Sequence, residues 1–188
     1  RHLRGTIKHL AAEVERQILP DGGHISRNPG AIIEVLLDLL PLRHAFAARN
    51  IASPPQLNNA IDRMMPMMRF FRHGDGAFAH FNGMGPTQPD LMATILAHDD
   101  ARGAPLANAP HSGYQRVELD ELVLVMDTGG PPPISVSQQA HAGCLSFELS
   151  HGLQRIVVNC GLPRNNRETW RQAARRSEEH TSELQSPY

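Results

Sequence analysis

The sequence has few cysteines, few aromatic residues and almost no net charge, and each scarcity excludes a class of protein. Its two cysteines, Cys144 and Cys160, are too few for a disulfide scaffold. A formal charge of −1 predicts no field strong enough to recruit nucleic acid or an anionic membrane. No run of about 18 apolar residues occurs, so no membrane-spanning helix is predicted.

The first residues, Arg1-His2-Leu3-Arg4, form a basic flank with no apolar segment behind it, which is not the pattern of a signal peptide. The chain also begins without methionine. We therefore expect it to be an internal fragment of a larger protein, in which any targeting signal would lie outside these residues.

The first third of the chain has helical periodicity. One helical face is predicted from apolar residues spaced three or four apart, namely Leu3, Ile7, Leu10, Val14 and Ile18. Residues 31–40 are apolar nearly all round and predict a buried helix. Pro41 should kink or end that helix, with continuation to Asn50 as the alternative.

A third helix is predicted from Ser53, as its N-cap, to about His73, with Pro54 at the first helical position. Its methionines are interpreted as core residues, because methionine fills irregular gaps. A fourth, short helix is predicted after Asp90 as its cap. Between these two helices, residues 77–83 alternate in polarity and predict a short extended segment closed by an Asn-Gly turn.

After an irregular stretch at residues 101–110, the spacing of apolar residues changes from one typical of helices to one typical of β-strands. Residues 114–119 and 122–127 predict one β-hairpin. A second hairpin is predicted around His151-Gly152, with Ser150 opposite Leu153 and Leu145 opposite Val158 on an apolar face.

That register points Cys144 and Cys160 to opposite faces of the hairpin, with Cys160 facing the core, so no disulfide is predicted between them. A three-residue turn, which would place the two cysteines opposite each other, is the alternative.

Several motifs together resemble the heparinase II/III family of polysaccharide lyases. They are Glu15-Arg16-Gln17-Ile18-Leu19-Pro20-Asp21-Gly22-Gly23-His24, His73-Gly74-Asp75-Gly76 with Phe81-Asn82, Ala140-His141-Ala142-Gly143-Cys144-Leu145-Ser146-Phe147-Glu148-Leu149, and Arg155-Ile156-Val157-Val158-Asn159-Cys160-Gly161. The resemblance implies an α+β multidomain fragment. Residues 1–110 would be the C-terminal helices of an incomplete α/α toroid, and residues 111–175 the first antiparallel strands of a β-sandwich.

The family resemblance implies cleavage of a uronate-containing, acidic polysaccharide by β-elimination. A base removes the C5 proton, an acid protonates the leaving oxygen, and a further group neutralises the uronate carboxylate. Where the family has a Tyr-His pair, this chain has Ala31 and Ile32. The same loop retains His24, Arg27 and Asn28 as candidate catalytic residues; the alternative is that they are ordinary polar loop residues.

The family's strand motif also carries histidines and, in some members, zinc ligands. In this chain Gln139 replaces the first histidine of the motif, and His141 matches the second. The zinc-binding aspartate is replaced by Asn159, a poor zinc ligand. One matching ligand does not define a metal site, so no cofactor is expected, and zinc is the alternative. His80 and Asn82 are candidate substrate contacts, or simply the residues that close a turn. Four other histidines are predicted to lie on the protein surface: His73, His98, His111 and His151.

The last residues, 176–188, resemble a translated short-read sequencing adapter, and a natural disordered tail is the alternative. Three functions remain open: a polysaccharide lyase of the periplasm or cell envelope, a non-catalytic glycan-binding or structural envelope protein on the same scaffold, and a fragment inactive by itself. The resemblance alone suggests the location.

Overall fold

The computed structural model describes residues 2–98, 104–141, 143–162 and 169–170. Most of residues 163–188, including the tail at 176–188, lies outside this described part. Helices come first: α1 His2–Gln17, α2 Pro29–Ala48, α3 Pro55–Phe70 and α4 Pro89–Leu96. None of these described helices is long and apolar enough to cross a membrane.

The helix boundaries follow local capping chemistry. Asn28 caps α2, and its Oδ1 accepts a hydrogen bond from Gly30 N at 2.8 Å. α2 contains Pro41 and ends at Ala48, so the prediction that the helix ends at Pro41 is wrong, and the predicted extent to Asn50 is too long by two residues. The predicted cap of α3 is wrong by one residue, because Pro54 precedes the helix and Ser53 Oγ instead accepts from Asn58 Nδ2 at 2.9 Å.

The start of α4 differs from its prediction in the same way. Gln88 is its N-cap, whereas Asp90 lies inside the first turn, where its charge still favours the helix N-terminus.

The helical core is centred on α3. The methionines Met64, Met65, Met67 and Met68 are all buried there, which confirms their interpretation as core residues. α1 and α2 both pack on α3. Leu36 of α2 and Leu57 of α3 are fully buried in this core. After α3, Asn82-Gly83 forms the predicted turn, in which Met84 N donates to Phe81 O at 2.9 Å.

The second part of the chain is one antiparallel sheet. Its strands follow sequence order: β1 Asn108–Ala109, β2 Tyr114–Leu119, β3 Leu122–Asp127, β4 Phe147–His151 and β5 Gln154–Val157. A 3₁₀ turn, Ile134–Val136, lies between β3 and β4. The first hairpin is confirmed, with Leu119 opposite Leu122.

The second hairpin forms in a register that differs from both predicted ones. Its turn is Gly152-Leu153, so His151 pairs with Gln154 and Ser150 with Arg155. This register places Arg155 beside the buried Glu148, with its NH1 donating to Glu148 Oε2 at 2.9 Å. Buried polar contacts, and not apolar cross-strand pairs, therefore decide the pairing.

Consequently the predicted apolar face of this hairpin lies on the outside of the chain. Leu145, Ile156 and Val158 are each more than half exposed. Cys144 and Cys160 are free thiols, as expected, but Cys160 is exposed and does not face the core.

The inner face of the sheet packs on the helical part, and Gly74 lies at this boundary. A Cβ at Gly74 would lie 2.0 Å from Gly152 O in the second hairpin. We expect Gly74→Ala to destabilise the chain by about 1–3 kcal/mol, because the backbone must move to relieve the overlap. Urea unfolding would measure this change.

Gly5→Ala is the matched control, since nothing lies within 4 Å of a Cβ at that exposed position of α1. It should stabilise the chain by about 0.5–1 kcal/mol. Equal effects of the two substitutions would contradict a close approach of the two backbones at Gly74.

Candidate functional site

A small cleft lies where the loop before α2, the Asn82-Gly83 turn and the segment after β3 meet. Its volume is about 240 Å³. Its lining is polar apart from one valine: Ser26, Asn28, Asn82, Ser135, Val136, Gln138 and Gln139. The cleft thus brings together two residues predicted for the site and the glutamine that replaces the family histidine.

Asn28 and Gln139 connect the two sides of this cleft. Asn28 Oδ1 caps α2, while its Nδ2 donates to Gln139 Oε1 at 3.3 Å. Gly83 comes close to Gln139, because a Cβ on Gly83 would lie 2.6 Å from the Cβ of Gln139. The cleft is therefore shaped by a helix cap on one side and a tight turn on the other.

Asn82 is buried in the wall of the cleft, with every part of its amide bonded inside the protein. Its Nδ2 donates to Tyr114 Oη at 2.7 Å and lies 3.3 Å from Asp127 Oδ2. Its Oδ1 accepts from His141 N at 3.1 Å. These bonds hold the turn in its left-handed conformation, with φ of 46° at Asn82.

Arg27 lies behind the cleft and is 8% exposed. Its guanidinium forms an ion pair with Asp127, donates to Ser112 O at 2.7 Å and lies 4.9 Å from the centre of the Tyr114 ring. Tyr114 Oη in turn donates to Arg27 O at 2.6 Å. The guanidinium predicted for a substrate carboxylate is thus already engaged with partners from the sheet.

His24 borders the cleft through Ser26. Its Nδ1 accepts from Ser26 N at 3.1 Å, and its Nε2 lies 3.3 Å from Gln17 Oε1. Burial, and secondarily the charge of Arg16, lowers the pKa of His24 below its usual range. The imidazole is therefore neutral at neutral pH.

The remaining predicted residues lie deeper in the boundary between helices and sheet. His80 donates through its main-chain N to Glu148 Oε1 at 2.9 Å, and Asn159 N donates to the same oxygen at 3.0 Å. His141 is half-buried. Within the described residues no three His, Cys, Asp or Glu side chains are grouped so that they could hold a metal ion.

Sequence analysis missed a second polar group, which we call the Glu148 cluster: His73, Asp75, Glu148, Ser150 and Arg155. Glu148 is fully buried, its Oε2 lies 3.3 Å from His73 Nε2, and His73 Nδ1 lies 2.7 Å from Ser150 Oγ. Arg155 Nε donates to Asp75 Oδ2 at 3.0 Å. The surface position predicted for His73 is therefore wrong.

Comparison with known proteins identifies the class of protein to which this architecture is similar. Residues 101–182 match the family described as Heparinase II/III-like, C-terminal. A crystal structure of heparinase III superposes with a TM-score of 0.71 at 14% identity, covering 90% of this chain and 33% of that one. The heparan sulfate lyase HepC from Pedobacter heparinus gives a TM-score of 0.70 at 16% identity, with 90% and 31% covered.

A curated relative is nearer in sequence. FtsZ-localized protein C of Caulobacter vibrioides (strain NA1000 / CB15N) is 39% identical over 155 residues, which are 82% of this chain. The chain spans 27% of that protein's length. Residues 101–182 are thus heparinase II/III-like, and the fold of the chain is similar to a segment of heparinase III, in which helices precede the antiparallel strands of a β-sandwich, as its motifs predicted.

Proposed function

We propose that this chain is part of a heparinase II/III-like protein that binds a cell-envelope polysaccharide in the cleft without cleaving it. One observation carries this proposal: apart from Val136 the cleft is lined by carboxamides and hydroxyls, and no histidine or tyrosine of the described residues lines it. Such groups bind sugar hydroxyls, but they do not exchange protons near neutral pH.

Two groups near the cleft that could act as base or acid, His24 and Tyr114, support a non-catalytic role. His24 is held between Ser26 and Gln17. Tyr114 is completely buried, and burial raises its pKa far above the usual range. A buried phenol that donates to Arg27 O is unsuited to removing a proton from a substrate in the cleft.

A turnover assay tests this proposal. The complete protein that contains this chain should bind envelope polysaccharide in affinity electrophoresis and release no unsaturated uronate, which is detected by its ultraviolet absorbance. Heparinase III serves as the positive control. Release of unsaturated product that is lost in an Asn28→Ala variant would contradict a non-catalytic role.

The second candidate function is a polysaccharide lyase, which the shared fold with heparinase III and heparan sulfate lyase favours. Its catalytic groups would then come from residues outside the described part, and His24, Arg27 and Asn28 would help to orient an acidic substrate. The same assay separates the two functions.

The cellular location of the protein is proposed from two observations, which favour different locations. The heparinase-like fold favours the periplasm or cell envelope, whereas the name of the Caulobacter relative places that protein with FtsZ. A fluorescent fusion of the complete protein, imaged together with labelled FtsZ, would distinguish a division-site location from an even distribution along the envelope.

A further inference from the structure

We propose that the sugar unit held in the cleft is uncharged, an inference that rests on the glycan-binding function proposed above. The cleft is lined by two hydroxyls and four carboxamides, of which that of Asn82 is already bonded inside the protein, and no charged side chain of the described residues lines it. An acidic polysaccharide, which the family resemblance suggests, would find no cation there.

Charges close to the cleft are compensated inside the protein. Arg27 and Asp127 pair with each other, and Asp127 Oδ1 also accepts from Gly129 N at 3.1 Å. Both side chains are at most 8% exposed, so neither can turn towards a ligand without breaking the pair. A carboxylate or sulfate entering the cleft would lose its hydration without gaining an ionic partner, which is unfavourable.

His24, which borders the cleft through Ser26, adds no positive charge. His24 is neutral at neutral pH for the reasons given above. Arg16, the cation that influences it, is itself bonded to Glu13 on the exposed face of α1. The loop side of the cleft is therefore electrically neutral as well.

The lining suits the hydroxyl and acetamido groups of a neutral sugar. A carboxamide carries both donor and acceptor groups, as sugar hydroxyls do, and among the lining carboxamides only that of Asn82 is wholly bonded inside the protein. At about 240 Å³ the cleft is smaller than the roughly 300–1,000 Å³ of pockets that enclose a drug-sized molecule. It is therefore suited to one sugar unit of a longer chain.

Calorimetric titration of the complete protein with four tetrasaccharides tests the inference. Chitotetraose and cellotetraose are uncharged, whereas tetragalacturonate and a heparan sulfate tetrasaccharide are acidic. We expect at least one uncharged ligand to bind about tenfold or more tightly than both acidic ones. Its affinity should change less than about twofold between 0.01 M and 1 M salt, where the Debye length falls from about 30 Å to about 3 Å.

Two variants locate the binding in the cleft. Gln139→Leu and Gln138→Leu should each weaken binding of the uncharged ligand about tenfold, because a sugar polar group loses its partner. Gln115→Leu, on the exposed outer face of β2, is the matched control and should bind normally. Thermal unfolding of each variant separates lost binding from lost folding.

The outcomes are distinguishable. Tighter, salt-sensitive binding of an acidic tetrasaccharide would overturn the uncharged sugar while leaving glycan binding intact. Binding of no tetrasaccharide, by a protein that unfolds cooperatively, would overturn both proposals. Uncharged-ligand binding that is unchanged in both glutamine variants would place the sugar elsewhere and overturn the cleft assignment.

Discussion

Glu148→Gln is expected to destabilise the folded chain by about 3 kcal/mol or more, the cost of breaking a buried ion pair by removing one partner. The Glu148 side chain is fully buried and accepts hydrogen bonds from Arg155 and from the main-chain N of His80 and Asn159. A neutral amide keeps the volume but leaves the charge of Arg155 only partly compensated, by Asp75. Chemical unfolding measures the loss.

The same substitution should change the dependence of stability on pH. Burial acts to raise the pKa of Glu148, but hydrogen bonds from His73 and from the main chain outweigh it and lower the pKa. A lowered pKa in the folded state means that the carboxylate stabilises the fold above its unfolded value of about 4.3. That contribution is lost as the pH falls through the folded value.

Asp75, the other carboxylate of the cluster, acts in the same direction. Its pKa is also lowered, against the effect of burial, by hydrogen bonds from Arg155 and from Ala77 N. Unfolding free energies measured between pH 7 and pH 3 should therefore fall steeply in the native chain and less steeply in Glu148→Gln.

Glu121→Gln is the matched control for Glu148→Gln. Glu121 lies in the exposed turn between β2 and β3, and its ion pair to His151 spans 3.9 Å between exposed side chains. Its replacement should change stability by less than about 1 kcal/mol. A loss at Glu148 no larger than at Glu121 would contradict the role of the Glu148 cluster in joining helices to sheet.

Asp127→Asn is expected to have the second large effect, a destabilisation of about 3 kcal/mol or more. It leaves the Arg27 guanidinium, which lies under the sheet, without its carboxylate partner. Since Arg27 also has a left-handed backbone, with φ of 59°, the contacts of its side chain help to hold this loop in place. Thermal and urea unfolding would report the change.

A double-mutant cycle with Arg27→Met separates the ion pair from the rest of the network. If the two side chains act as a pair, the double variant should be less destabilised than the sum of the single variants, with a coupling of about 0.5–3 kcal/mol. Additive losses would show that Arg27 and Asp127 contribute independently, which would contradict the pairing.

Local structure was predictable because its causes lie within a few residues. The methionines of α3 lie in the core that the pattern predicts, and so do Val14 and Ile18 from the apolar period of the first helix, whereas Leu3 at the start of that helix is 55% exposed. The Asn82-Gly83 turn was also predictable, because two adjacent residues that tolerate positive φ suffice to make it. The N-cap of α3 was misplaced by one residue because both Pro54 and Pro55 suit a helix start.

The register of the second hairpin was not predictable from apolar pairing. Glu148 and Ser150 alternate with apolar residues along β4, which is the one local signal that its inner face is polar. His73, which contacts both of them, lies just after α3 and more than seventy positions earlier in the chain, as does Asp75, the partner of Arg155. Only folding brings them within hydrogen-bond distance.

The sequence by itself therefore determined the order of helices and strands, the helical core and the family resemblance, since these depend on short-range period and motif. Tertiary structure alone decided that Arg27 is paired with Asp127, 100 positions away, and that the cleft beside it is neutral. The physical reason is that a buried charge needs an oppositely charged partner, which can come from a distant part of the chain. No local sequence pattern identifies that partner.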